Sequence, residues 1–281
     1  MTGYAALLVH AEPDEGAEAR LRLASDLADR FGAVLIGLAS GATIPPPVAA
    51  PVLGRAVAVE VLEAEQQRVE AGLRVAHERF RAAAGEKGRR TGWRSFLDPP
   101  ADALAREARA ADLVVLGRRR EGFWQEPHWA VDVGDVLMRA GRPVLVVPPG
   151  VSALEGLRVL VAWKDTREAR RAVADALPFL LRAEEVLVAE LVSDAEEREP
   201  ASRRAGDVAE LLARHGATAR GEAVERRGRA VADDLLLAAE QHGADLVVAG
   251  GYGHARLREW AFGGVTRDLL ARCPKCCLLS H

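Results

Sequence analysis

Aromatic residues are scarce in this 281-residue chain, at 5%, and it has only two methionines and three cysteines. The cysteines crowd near the C-terminus, at Cys273, Cys276 and Cys277, which is no disulfide framework. No apolar run reaches the roughly 18–20 residues that cross a membrane. The opening Met-Thr-Gly-Tyr-Ala-Ala-Leu-Leu-Val-His lacks a basic start and a small-residue cleavage site, so no secretory leader is expected. A formal net charge of −3 leaves no global basic field for nucleic acid. The arginines at 118–120, 203–204 and 226–227 have acids nearby and read as solvated faces. A cytoplasmic, reducing setting is the expectation, with neither nucleic acid nor membrane as partner.

What the chain does have is a repeat. Ala-Asp-Leu-Val-Val-Leu-Gly at 111–117 returns as Ala-Asp-Leu-Val-Val-Ala-Gly at 244–250, a spacing of 133 residues. That spacing is one small domain, so the chain reads as two copies of one fold. The boundary falls at Pro148-Pro149-Gly150, giving units 1–149 and 150–281.

Both copies alternate short apolar runs with longer amphipathic stretches, the pattern of an α/β fold with a parallel sheet. In the first copy, strands are expected at 5–9, 33–38, 93–97, 112–116 and 143–147. Helices are expected at 17–30, 57–84, 101–110 and 131–139. The Pro-rich stretch 41–51 cannot be regular. In the second copy, strands are expected at 157–163, 185–192, 218–224, 245–249 and 276–280. Helices there are expected at 167–181, 201–215, 229–242 and 265–272. The helix at 57–84 is an insertion relative to the second copy, expected to pack on the sheet with a charged face outward. Ligands of such sheets bind beyond the carboxyl ends of the strands, where strand order reverses.

The copies differ after the repeat. The second continues Gly250-x2-Gly253-x9-Gly263-Gly264-Val265-Thr266, whereas the first has Arg120, Ala130 and Val131 at the same offset. Glycines at a strand end let an anion approach backbone N–H groups without meeting a Cβ. Gly263-Gly264 opens a helix whose first amides are unpaired and whose dipole favours negative charge. No Walker Gly-x4-Gly-Lys-[Ser/Thr] occurs. A dinucleotide fingerprint would follow the first strand of its unit, not the fourth. The bland alternative is that the glycines serve a tight turn and close helix–sheet packing.

This arrangement resembles the universal stress protein family, whose ATP-binding members carry Gly-x2-Gly-x9-Gly-[Ser/Thr] after the fourth strand. The strand ending at Trp163 and the following Lys164-Asp165-Thr166 fit the family as well. The resemblance spans both copies. It implies two tandem five-stranded parallel open sheets, order 3-2-1-4-5, with helices on both faces. The two would pair through their fifth strands as an intrachain pseudo-dimer, with a homodimer as a further arrangement. It also implies a site for ATP, AMP or ADP in the second copy, with Mg²⁺ accompanying ATP. Gly250, Gly253, Gly263 and Gly264 would give backbone donors, and Val265 and Thr266 helix-terminal contacts. Asp165 would hold the ribose or adenine. Trp163, Lys164, Thr166, Val192 and His254 complete the set. No catalytic residue is implied. Gly264 stands where the family has Ser or Thr, and Thr266 offers the nearest hydroxyl. In the first copy Glu12 stands for the acid, and bulk after Gly117, with Trp124 and Trp129, would fill the crevice.

The implied function is a stress-response regulator that responds to an adenine nucleotide and acts on an unidentified protein partner. A nucleotide-free scaffold and a slow ATPase are the competing classes. The ATPase would need metal ligands and a positioned water, for which no carboxylate pair stands out. Cys273-x2-Cys276-Cys277 with His281 has zinc-ligand types. Adjacent cysteines on a strand point to opposite faces, however, so buried thiols acting as small hydrophobes fit better. His254 lacks a partner that would make it a base. Trp93 and Trp260 read as packing residues.

Overall fold

The computed structural model describes residues 3–14, 16–43, 55–85, 90–118, 127–228, 230–252 and 264–281. The first half contains β1 (Ala6–His10), α1 (Ala17–Phe31), β2 (Val34–Ser40), α2 (Arg55–Ala84), β3 (Thr91–Phe96), α3 (Pro100–Glu107), β4 (Leu113–Gly117), α4 (Val133–Arg139) and β5 (Val144–Val147). The second half repeats the cycle as β6 (Arg158–Trp163), α5 (Arg167–Leu180), β7 (Glu185–Val192), α6 (Ala195–Arg214), β8 (Ala219–Glu225), α7 (Val231–His242), β9 (Leu246–Gly250), α8 (Gly264–Arg272) and β10 (Cys276–Ser280).

The ten strands of the described residues form one sheet, ordered β3-β2-β1-β4-β5-β10-β9-β6-β7-β8. Within each half the order is the expected 3-2-1-4-5, and every pairing is parallel. The halves join where β5 and β10 run antiparallel, with Leu145 opposite Leu278. That pairing buries the two apolar strands that would otherwise be open edges. The true edges, β3 and β8, carry polar residues such as Arg94 and Ser95, or Arg220 and Glu222.

The strands read as continuous apolar runs because helices cover both faces. Leu7 and Val9 face a layer formed by α1, α2, α5 and α6, while Leu8 faces the layer of α3, α4, α7 and α8. Each apolar layer contains residues of both halves. Cys276 and Cys277 fall in opposite layers, buried as the strand alternation requires. Among the described residues no cluster of three metal-ligating side chains occurs, and no helix is long and apolar enough to cross a membrane.

One helix differs clearly from the sequence expectation. α6 starts at Ala195, not at 201, and contains Pro200. Asp194 precedes it in extended conformation, and Glu196 and Glu197 fill the first turn. Acids there complement the helix dipole, and the helix forms despite the N–H that proline lacks. The helix expected at 101–110 ends at Glu107 and tightens into a 3-10 turn over Ala108–Ala110.

Beyond the sheet, the halves meet in an aromatic cluster. Tyr4, Phe31 and Phe179 pack edge to face with centroids 5.0–5.8 Å apart. Tyr4 donates its hydroxyl to the Asp175 carbonyl at 2.7 Å. Removing that donor costs a net hydrogen bond. Tyr4→Phe is therefore expected to lower unfolding stability by about 1 kcal/mol in a urea titration, with unchanged slope.

Candidate functional site

Strand order reverses between β6 and β9, which lie side by side although β7 and β8 intervene in the chain. Their carboxyl ends bring together Trp163–Thr166, Gly250–Tyr252 and the start of α8 at Gly264–Thr266. Val192 ends the neighbouring β7. Gly253, His254 and Gly263 lie outside the described residues.

Gly250 is dictated by packing. A Cβ there would lie 2.6 Å from the Ala169 nitrogen and 2.7 Å from the Glu168 carbonyl carbon. The first turn of α5 thus rests directly on the end of β9. Thr166 caps that turn, its Oγ1 accepting from the Ala169 N–H at 3.3 Å. Asp165 is half exposed and pairs with Arg170. Lys164 is exposed. Trp163 is buried in the α5–α6 layer, and its Nε1 has no hydrogen-bond partner among the described residues. Val192 packs with Ala201 and Ala223, while its carbonyl accepts from the Arg226 N–H at 2.9 Å.

Gly264 contrasts with Gly250. It opens the nine-residue α8, and a Cβ there would meet nothing within 4 Å among the described residues. Val265 packs on the α7–α8 layer. Thr266 is buried and its Oγ1 accepts from the Tyr252 N–H at 3.3 Å. That bond ties the end of β9 to the first turn of α8. Ser280, level with Gly250 on β10, has a buried hydroxyl without a partner among the described residues.

Two residues at this end of the sheet escaped the sequence reading. Glu168 is buried beside Gly250, with Arg167 Nε 2.9 Å from its carboxylate. Burial pushes its carboxyl up, but its own backbone N–H, Arg167 and Thr166 outweigh that and hold it below the ordinary value. An acid in the first turn of a helix was legible as a signal, though not its burial. Tyr252 has φ 55°, which nothing in a Gly-Gly-Tyr-Gly string would distinguish from a glycine turn.

The matching end of the first half is occupied by side chains. A Cβ on Gly117 would lie 2.0 Å from Arg20 Nη1. Arg20 is buried, donating from Nε to the His10 carbonyl at 3.0 Å and from Nη2 to Glu12 Oε2 at 2.9 Å. Glu12 Oε1 lies 3.4 Å from His10 Nδ1. Strand register puts Leu7 level with Leu113, and Val159 level with Leu246. Glu12 therefore matches Lys164 rather than Asp165, and Pro13 takes the position of the acid.

Beyond β2, Trp129 fills the space against Gly41 and Gly72, where added Cβ atoms would lie 2.7 and 2.3 Å from its ring. His128 holds it in place, with Nδ1 2.7 Å from the Ala42 carbonyl and Nε2 3.0 Å from Glu65 Oε2. Trp129 thus packs beyond the end of β2, while Arg20 lies over Gly117 at the end of β4. Arg120 and Trp124 lie outside the described residues, as does Trp260. Trp93 stacks on His77 at 4.5 Å, a packing role.

The sequence pattern of the universal stress protein family matches residues 157–281. A universal stress protein from Archaeoglobus fulgidus DSM 4304 has the same fold over 98% of this chain and 97% of its own, at TM-score 0.70 and 15% identity. A protein of unknown function from Pseudomonas aeruginosa PAO1 matches over 100% of this chain and 93% of its own, at TM-score 0.57 and 16% identity. A universal stress protein solved in complex with cAMP covers 52% of this chain and 98% of its own, at TM-score 0.33 and 21% identity. No curated protein matches the sequence.

Proposed function

We propose that this chain, whose second half belongs to the universal stress protein family, binds one adenine nucleotide at the carboxyl ends of β6, β7 and β9 and uses its occupancy to regulate a protein partner. The observation that carries this reading is the contrast at α8. Gly264 starts the nine-residue α8, and among the described residues no atom lies within 4 Å of where its side chain would stand. Helix N-termini of that kind favour phosphate. The buried hydroxyl of Ser280 beside Gly250, without a partner among the described residues, supports it, because such a group wants a partner.

In this reading Gly250, Gly253, Gly263 and Gly264 give main-chain donors to the phosphates. Val265 and Thr266 add the first helical turn. Asp165 holds the ribose or adenine beside Trp163, Lys164, Thr166 and Val192, and His254 lies near the phosphates. ATP, ADP and AMP share the recognised chemistry, and Mg²⁺ would accompany ATP. Units 1–149 and 150–281 divide the work, the first having closed its own crevice with Arg20 and Trp129. Regulation is bounded by the nucleotide's differential affinity for two states of the chain.

Calorimetric titration with ATP, ADP and AMP tests this. One site per chain is expected. Gly264→Val is expected to weaken binding by about tenfold, roughly one lost phosphate contact, with little change in melting temperature. Two equal sites, or unaltered affinity in Gly264→Val, would overturn the reading.

A nucleotide-free scaffold is the second reading. It is favoured by how fully packing and capping already employ Gly250, Thr166 and Thr266. Native mass spectra of the purified chain without bound nucleotide, together with no thermal shift in ATP, would select it.

A further inference from the structure

Tyr252 is the one non-glycine residue with positive φ among the described residues, at 55°. Left-handed backbone is disfavoured for an aromatic side chain and persists only where the surroundings enforce it. Here the surroundings come from both halves. The Tyr252 N–H donates to Thr266 Oγ1 at 3.3 Å. The preceding Gly251 N–H donates to the Ser280 carbonyl at 2.7 Å, and the Gly251 carbonyl lies 3.1 Å from His281 Nδ1. Leu137 of α4 packs against Gly251, with Cδ2 2.6 Å from where a Cβ would stand.

The phenol itself crosses to the first half. A Cβ on Gly134 would lie 2.3 Å from Tyr252 Oη and 3.3 Å from its Cζ. Gly134 is the second residue of α4, just after the cap residue Asp132. The Asp132 carboxylate accepts from the Gly134 N–H at 2.8 Å and from the Asp135 N–H at 3.2 Å. Burial, reinforced by that carboxylate, pushes the Tyr252 phenol up to about 12. It therefore stays protonated at neutral pH, a neutral group wedged on the first turn of α4.

We infer that Tyr252 is a positioning residue that couples the end of β9 and the first turn of α8 to the start of α4 in the other half. This rests on the nucleotide reading of that end of the sheet. Seating the phenol on Gly134 holds the Tyr252 backbone in its left-handed state. That backbone in turn holds Thr266, in the first turn of α8, where the phosphates are proposed to bind. A ligand acting on α8 and a displacement of α4 thus bias the same hydrogen bond. The coupling is reciprocal by thermodynamic necessity. It assigns the first half a role its closed crevice does not give it: the segment Asp132–Leu137 is the element that responds to occupancy in the second half.

Gly134→Ala pushes a methyl group against Oη at 2.3 Å; Tyr252→Phe removes that clash and leaves Asp132 Oδ1 at 3.1 Å and a ring carbon at 3.3 Å, close contacts that shifts of a few tenths of an ångström relieve. In the full chain, Gly134→Ala is expected to speed amide exchange over residues 264–272 without nucleotide. It is also expected to weaken ATP binding by about tenfold, within the usual range of coupling between contacting residues. The double variant Gly134→Ala with Tyr252→Phe is expected to recover both. A purely local effect on α4 predicts no such rescue. Unchanged exchange at 264–272 in Gly134→Ala, or faster exchange that the second substitution fails to reverse, overturns the coupling whatever ATP does. Exchange that changes and is rescued, in a chain that binds no ATP, keeps the coupling and overturns the nucleotide reading instead.

Discussion

Gly250→Ala is expected to cost about 3 kcal/mol of unfolding stability, the upper part of the range for overpacking a filled site. The added methyl would lie 2.6 Å from the Ala169 nitrogen, 2.7 Å from the Glu168 carbonyl carbon and 2.9 Å from Glu168 Cβ. Two of those atoms are backbone, so no rotamer change relieves the clash. The turn that would have to retreat is capped by Thr166. The rest of α5 is anchored by Ala172, Val173, Ala176 and Phe179 in the shared apolar layer. Moving the helix therefore strains a packed core, and interiors packed as densely as crystals do not yield cheaply. Gly264→Ala, in the same glycine string, meets nothing within 4 Å among the described residues and should leave stability within about 0.5 kcal/mol of the parent. Chemical denaturation of the two variants side by side checks the contrast. Equal stabilities would mean that α5 does not rest on β9 as described.

Acid should remove about 3 kcal/mol of stability between pH 6.5 and pH 4 through His10 alone. Burial is the main cause: it lowers the His10 imidazole from 6.5 to about 4, with Arg20 adding to the shift and Glu12 opposing it. The unfolded chain takes up a proton across that window and the folded chain refuses it. Stability from this group is thus complete above pH 6.5 and lost as pH falls through the folded value. Glu12 extends the loss to lower pH. Burial raises its carboxyl, but Arg20 and His10 outweigh that and hold it below the ordinary value. Folding therefore favours its charged form, which acid removes.

His10→Leu deletes the titrating group together with a buried Nε2 that lacks a partner among the described residues. Its stability should be flatter than the parent's over the same interval. Denaturation curves at pH 7, 5.5 and 4.5 give the comparison. Parallel losses in parent and variant would show that His10 is not the group responsible.

Both predictions concern the ends of the strands, and there the sequence was only partly legible. The two near-identical heptapeptides at 111–117 and 244–250 revealed the duplication, and both end in strands β4 and β9. Apolar runs located all ten strands within about two residues at either end. Alternation told that Cys276 and Cys277 would be buried on opposite faces. The resemblance supplied strand order and the pairing of fifth strands, which β5 and β10 realise. The start of α6 was missed because Pro200 reads locally as a break, while the helix forms around it.

Composition, the internal duplication, the placement of strands and the glycine string after the repeat were determined by the sequence alone, because each is a pattern among chain neighbours. Only the tertiary structure decided that Arg20 lies over Gly117, that α5 rests on Gly250 and that Tyr252 seats on Gly134. Those pairs are far apart in the chain. Which of two bulky groups fills a crevice, and which glycine is needed for packing and which stays open, depends on how whole elements settle against each other. That is set by excluded volume across the sheet, a property no local stretch of residues encodes.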